Sequence, residues 1–357
     1  MFHTVELFRK VDSSEYYYLF KSLLKLSKEK ETRYFKDGVN KMVFNCFTEK
    51  GITIVMCKYK LSDYRYYEIR IRFAPKKLLK EKEFIEVVNE EDMKFIKQKF
   101  SEAMSELKDE FNDVSNEKLI FVFHNLENYF VRRIDYCMNI YSKNCVEIMK
   151  LIKRGDIPKN FKPYLKYDNK QKRKVMPKGS FYVISKSVTI NIYWKYYQVS
   201  KDTYYKKKKI DISNAKGILR FEVQCDLQKV NNIKYKYGIN SKTIFNIAND
   251  KICKEILLYY LDKTMGLEDY YTLNQARIII NKSNTYGKNV KKEMINIMEL
   301  ISQKKSIPLS RQEYSGKKSE FNKLLGKIKK LGINPVTIPT KWGINNLPNP
   351  AHEIERI

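Results

Sequence analysis

The chain has 357 residues and a formal charge of +29, from 70 Lys and Arg against 41 Asp and Glu. A positive excess spread along the chain is the footprint of a protein with a polyanionic partner, nucleic acid before all others. No apolar run approaches the roughly 20 residues that a membrane span requires, and the basic residues are not gathered on one long amphipathic helix, so membrane partners are excluded.

The opening stretch MFHTVELFRKVD has no apolar signal core followed by a small-residue cleavage site, and a soluble cytoplasmic protein is expected. The six cysteines (46, 57, 137, 145, 225 and 253) sit singly inside apolar segments, with no pair at C-x-x-C spacing, and read as reduced core residues. The three histidines, His3, His124 and His352, are scattered, which rules out a metal strand of His-x-His type. Any metal must then be held by carboxylates and amides, which favours Mg²⁺ or Mn²⁺ over Zn²⁺.

Length suggests two domains or three. A helix is expected over 14 to 28, then strands over 41 to 47 and 51 to 60 around a turn at Gly51. The run YRYYEIRIRFAP (64 to 75) alternates strictly, placing Glu68, Arg70 and Arg72 on one face, and Pro75 ends it. Apolar residues at Met93, Ile96, Phe100, Met104 and Leu107 predict an amphipathic helix over 88 to 110. In NYFVRRIDYCMNIYS (128 to 142) a strand puts Arg133, Asp135, Cys137 and Asn139 on a common face, and a helix follows over 144 to 154.

Residues 155 to 180 carry three prolines and the basic run NKQKRK, with Lys170, Lys172, Arg173 and Lys174. They read as a surface loop, either solvated or touching phosphate. A second basic loop is expected over 201 to 216, with Lys206, Lys207, Lys208 and Lys209. ILRFEVQCDL (218 to 227) returns to strand and aligns Arg220, Glu222 and Gln224. Strands and helices mixed in this way predict an α+β domain built on an antiparallel sheet over 1 to 235.

The remainder, 236 to 357, reads as mainly helical, with helices over 243 to 264, 272 to 283, 288 to 303 and 316 to 332. This suits a helix-turn-helix or winged-helix DNA-binding module or, equally, a plain helical bundle. In the first case Lys317, Lys318 and Lys327 are candidates for DNA contact.

The stretch SVTINIYWKYYQ (187 to 198) draws the reading together. Its alternation sends Asn191, Tyr193 and Lys195 to one face and Ile190, Ile192 and Trp194 to the other. A phenol with a pKa near 10 attacks poorly at neutral pH unless a cation, base or metal favours the phenolate. Lys195 is placed to be that cation for Tyr193; the blander reading is a half-buried strand whose lysine snorkels. Asp135 with Asn139 and Glu222 with Gln224 offer hard oxygen atoms of the kind a divalent ion needs beside a scissile phosphodiester.

The succession IRIRFAPKKL, RRIDYCMNIY, TINIYWKYYQ and LRFEVQ resembles, over about residues 64 to 230, the trans-acting initiators of staphylococcal-type rolling-circle plasmids and related phage and integrative-element replication proteins. The resemblance implies Tyr193 as nucleophile and Asp135 and Glu222 as metal ligands. It departs at two points: Arg72 stands where the first strand should bring an acid, and Asn139 replaces a second aspartate. Asn139, and Glu68 under a shifted register, are the substitute ligands.

What the resemblance implies is an enzyme that binds an origin duplex, nicks one strand through a 5′-phosphotyrosyl link with Mg²⁺ or Mn²⁺, and later rejoins it. DNA, duplex and single-stranded, is the partner. A host helicase is a further expectation, because the chain has no Gly-rich Lys-Ser/Thr phosphate loop of its own; a homodimer is compatible with it. The alternatives are a DNA-binding regulator without enzymatic activity, in which the acids only pair with Arg133 and Arg220, and a relaxase with the same chemistry in another DNA context.

Overall fold

The computed structural model describes residues 2–27, 32–36, 39–61, 64–80, 83–105, 123–168 and 172–352. The chain opens with β1 (Phe2–Val11), α1 (Ser13–Leu26), β2 (Thr32–Lys36), β3 (Val39–Phe44), β4 (Ile52–Leu61) and β5 (Tyr64–Phe73). Helices α2 (Pro75–Leu79) and α3 (Asp92–Ser105), strand β6 (Phe130–Tyr141) and helix α4 (Cys145–Ile152) follow. Next come short strands β7 (Lys162–Pro163), β8 (Lys166–Asp168) and β9 (Arg173–Val175), then β10 (Ser180–Ile184) and β11 (Val188–Trp194). Helices α5 (Lys195–Val199) and α6 (Thr203–Lys207) lead to β12 (Ile218–Cys225), α7 (Leu227–Lys236), α8 (Ile244–Ile247) and α9 (Asp250–Thr264). The chain ends with β13 (Tyr270–Tyr271), α10 (Leu273–Lys282), α11 (Lys288–Lys304), α12 (Ile307–Glu313), α13 (Lys318–Lys330) and β14 (Asn346–Leu347).

These elements make an α+β protein with extensive antiparallel sheet, the expected class. They gather into two compact units that are not consecutive stretches of chain: unit 1 takes 1–138 and 222–255, unit 2 takes 139–221 and 256–357. Strands β6 and β12 contribute residues to both.

In unit 1 the strand order β2-β3-β4-β5-β1-β6 is antiparallel throughout. β1 was not expected, and it lies between β5 and β6, pairing Glu6 with Arg72 on one side and with Arg133 on the other. Helix α1 forms because Asp12 closes a capping box, its carboxylate accepting from Glu15 N at 2.8 Å while Glu15 Oε2 accepts from Asp12 N at 3.0 Å. Its aromatic side chains cover one sheet face, Tyr16 over Tyr67 at 4.8 Å and Phe20 on Phe44 at 6.0 Å. Phe100 of α3 closes the same core against Phe73 at 5.6 Å. The part of the predicted helix beyond Ser105 lies outside the described residues.

In unit 2 strands β10 and β11 form a hairpin with Ser180 opposite Tyr193, and β7 adds to β10. The stretch expected to be a loop, 155 to 180, contains a second small hairpin, β8 with β9. Helix α4 packs on β10 and β11 through an apolar face that includes Ile148, Leu151 and Ile152. Towards the C-terminus α11 packs against α10, α12 and α13, and β13 pairs with β14. Isolated bridges join Asp269 to Ile333 and Thr272 to Ile338.

Candidate active site and DNA-binding residues

Strand β11 ends one residue earlier than alternation predicts. Lys195 opens α5 instead of continuing the strand, so it does not share a pleated face with Tyr193. Two contacts turn the chain there: Trp194 N donates to Gly179 O at 3.0 Å, and Trp194 Nε1 donates to Lys216 O at 2.7 Å. Gly179 is required at this place, because a Cβ on it would stand 1.9 Å from Tyr197 Cδ1. The turn nevertheless keeps lysine and tyrosine together: Lys195 Nζ lies 5.7 Å from the Tyr193 ring centroid and donates to Gln198 Oε1 at 3.0 Å. Both side chains are buried, Tyr193 at 7% exposure and Lys195 at 3%. Tyr197 sits on α5 and pairs its hydroxyl with Lys201.

The acids of unit 1 are engaged by arginines. Asp135 is buried on β6 and accepts from Arg133 at both oxygens, Nε to Oδ1 at 2.8 Å and Nη2 to Oδ2 at 2.6 Å. Burial pushes the Asp135 carboxyl above its ordinary range and outweighs the opposite pull of Arg133; the charges of Asp226 and Glu6 push it the same way as burial. Glu68 is buried, and its Oε1 accepts from Arg70 and, at 3.3 Å, from the Tyr59 hydroxyl.

Arg72 pairs with Glu6 at 3.6 Å, and Glu6 also meets Arg132 at 3.3 Å. Glu6 is the carboxylate that the sequence reading missed, because it rides on the unexpected β1; the polar residue between buried Val5 and Leu7 was its signal. Glu222 is buried on β12 in unit 1. Asn139, in unit 2, has its amide oxygen taken by Arg220 Nε at 2.9 Å.

These donors have the hard-oxygen chemistry that Mg²⁺ or Mn²⁺ prefers. Within each unit guanidinium N–H groups hold these donors, on Asp135 and Glu68 in unit 1 and on Asn139 in unit 2. Among the described residues no group of three or more His, Cys, Asp or Glu side chains is arranged to hold a metal.

Of the basic candidates, Lys172 and Lys174 are exposed beside β9, while Lys170 and the side chain of Arg173 lie outside what the structure describes. Lys206 and Lys207 end α6, so the expected loop is in part a short helix, and with Lys208 and Lys209 they are exposed. Lys317 and Lys318 are exposed at the start of α13; Lys327 is half-buried with its Nζ 5.7 Å from the Tyr286 ring. No helix among the described residues is long and apolar enough to cross a membrane.

No family model and no curated protein matches the sequence. Among solved structures the chain is similar to a rolling circle replication initiator protein from Geobacillus stearothermophilus, with 11% identity over 95% of this chain and 97% of that one. The TM-score is 0.34, too low for that likeness to carry an argument about chemistry.

Proposed function

We propose that the chain is a DNA strand-nicking and strand-joining enzyme that starts rolling-circle replication. The observation that supports this is the Tyr193 and Lys195 pair, with an ammonium 5.7 Å from the centroid of a buried phenol ring. Tyr193 Oη attacks the scissile phosphorus, the bond from phosphorus to the 3′ oxygen breaks, and the phenolic proton ends on the released 3′-OH. Lys195 favours the phenolate and the charge of the pentacovalent state. The phosphotyrosyl ester conserves the bond energy, so a 3′-OH returning to it rejoins the strand without ATP. No step is routed through a metal, given the arginines on Asp135 and Asn139. The exposed lysines of 172 to 174 and 206 to 209 and the C-terminal helices supply the attraction to duplex phosphates.

Supercoiled DNA carrying the replicon that encodes this chain, incubated with and without Mn²⁺, tests the reading. Open circles with protein covalently attached at a 5′ end are expected, and Tyr193→Phe should lose both. A second reading is favoured by the Arg133 grip on Asp135: a DNA-binding regulator whose acids only balance arginines. Binding without any nicking by the unaltered protein would select it.

A further inference from the structure

Strands β10 and β11 of unit 2 divide their side chains between two faces of the sheet. Phe181, Val183, Ile190 and Ile192 share one face and are buried. On the other face, residues directly opposite one another form rungs across the strands. One rung is Ser180 with Tyr193. The next is Tyr164, Tyr182 and Asn191: Tyr182 stands opposite Asn191, and Tyr164 N donates to Tyr182 O at 2.8 Å, one residue on from the pairing of β7 with β10. This second rung lies two residues, about 7 Å, along β11 from the Tyr193 rung. It runs to the sheet edge, because β7 ends the strand order.

Three features of the rung point to a ligand. Tyr164 is 41% exposed and meets Tyr182 edge to face, with centroids 5.1 Å apart and ring planes at 69°, so aromatic surface stands open at the edge. Asn191 is half-buried, and its Oδ1 is shut in with no hydrogen-bond donor among the described residues. A buried acceptor left in this way calls for a donor from outside the fold, and rotation about the broad χ2 torsion turns the oxygen towards the open side. The third feature is charge. Exposed Lys162 stands opposite Ile184 on the next rung, and residues 157 to 190 carry nine Lys and Arg against one acid, Asp168, which favours a polyanion over another protein surface as the occupant.

We propose that this rung seats unpaired bases of a DNA single strand, those beside the phosphate that Tyr193 attacks. Tyr164 stacks on a base with Tyr182 behind it, Asn191 Oδ1 accepts from a base N–H, and Lys162 faces the phosphates. Every base carries an N–H donor on its Watson–Crick edge, and in a duplex that donor is taken by the opposite base. The rung therefore selects unpaired over paired DNA without choosing among bases. The inference deepens the reading above, in which Tyr193 is the nucleophile, and rests on it for the identity of the strand.

The test is fluorescence anisotropy with the full-length chain in the absence of divalent metal, using an oligothymidylate and a mixed-sequence duplex of equal length as probes. Tyr164→Leu should weaken oligothymidylate binding about tenfold and duplex binding less than about twofold, and Tyr164→Trp, which keeps a stacking face, should hold the unaltered affinity. Asn191→Leu should also weaken oligothymidylate binding while keeping or raising the melting temperature, because an apolar group replaces an acceptor that has no partner in the fold. A merely structural amide would give the reverse, a lower melting temperature with affinity kept.

If oligothymidylate is bound and both leucine variants bind it as the unaltered protein does, the rung is not a base seat and the inference is overturned, while the DNA reading stands. If Tyr164→Leu changes the sedimentation coefficient and leaves both affinities alone, the rung is a contact between protein chains and the inference falls. If neither probe is bound, the DNA reading fails and takes the inference with it. If the leucine variants lose oligothymidylate as expected but supercoiled DNA is never nicked, the base seat stands and the nicking reading falls.

Discussion

Replacing Arg133 by methionine separates the two readings of the unit 1 acids. The Asp135 side chain is 5% exposed and takes two charge-assisted hydrogen bonds from one guanidinium, whereas the Arg133 side chain is 31% exposed. Breaking a buried ion pair by removing one partner costs about 3 to 5 kcal/mol, because the remaining charge is left without compensation. The wet side of Arg133 lets water reach the vacated space, which brings the expected loss down to about 2 to 3 kcal/mol in urea unfolding. Glu6 and Asp226 already repel the Asp135 charge, so Arg133→Met removes the cation that spans both Asp135 oxygens and leaves Arg72 and Arg132 on Glu6. A divalent ion is the natural replacement. Saturating Mn²⁺, at about 100 times its dissociation constant, adds about 2.7 kcal/mol to a protein that binds it only when folded. Mn²⁺ should therefore restore most of the lost stability to Arg133→Met and barely shift the unaltered protein. The reasoning is refuted if Arg133→Met costs less than about 0.5 kcal/mol, the range of an exposed pair. It is refuted equally if Mn²⁺ stabilises the unaltered protein as strongly as the variant.

Gly179→Ala forces the Tyr197 ring away from its seat 1.9 Å from the new Cβ and should cost about 1 to 3 kcal/mol; the double change with Tyr197→Ala should cost less than the two single losses added, by thermal melts. Glu268 has a buried Oε2 with no hydrogen bond, and Lys329 Nζ at 3.8 Å, and burial raises its carboxyl above the ordinary 4.5. A raised folded value means the native state holds the proton more tightly, so this contribution is full below the unfolded value and is lost as pH rises through the folded one. Glu268→Gln should abolish that decline, which urea midpoints from acid to neutral pH would reveal; parallel pH profiles for both proteins would count against it. Replacing Lys206, Lys207, Lys208 and Lys209 by glutamine should lower the slope of log affinity against log salt by up to about 3.6 if each lysine neutralises one phosphate. An unchanged slope would remove that segment from the DNA contact.

The parts of the fold that could be read in advance are those where one periodicity acts alone. The runs at 64 to 75 and 128 to 142 alternate over ten or more residues and became β5 and β6 within two residues at each end. β1 escaped because the chain start was weighed for a signal segment and not for alternation, although Val5 and Leu7 point to the core with Glu6 between them. The helix expected over 243 to 264 is two helices, and no glycine or proline marks the break. Asn249 does, since its Oδ1 accepts from Lys251 N at 3.0 Å and Ile252 N at 3.3 Å, which makes it a cap inside an apolar pattern.

The candidate site shows a different limit. Period-2 reasoning put Arg133 and Asp135 on a common face, and that is where they are. What it had no means to give is the rotamer by which one guanidinium spans both carboxylate oxygens, and that rotamer decides whether Asp135 is available to a cation. Tyr193 and Lys195 make the converse case. The face argument for their proximity fails, because the strand ends at Trp194, yet the pair survives: the first turn of α5 carries the lysine back over the ring. The residue that secures this turn is Gly179, on the neighbouring segment and 14 positions earlier, where only the absence of a Cβ lets Tyr197 settle. The tyrosine and lysine are held by the packing of this turn, by the two Trp194 hydrogen bonds and by the bond from Lys195 to Gln198. The Asp135 and Glu68 carboxylates are held by ion pairs, which a competing cation or phosphate can exchange. Cation binding at Asp135 or Glu68 is expected to begin with rearrangement of Arg133 or Arg70.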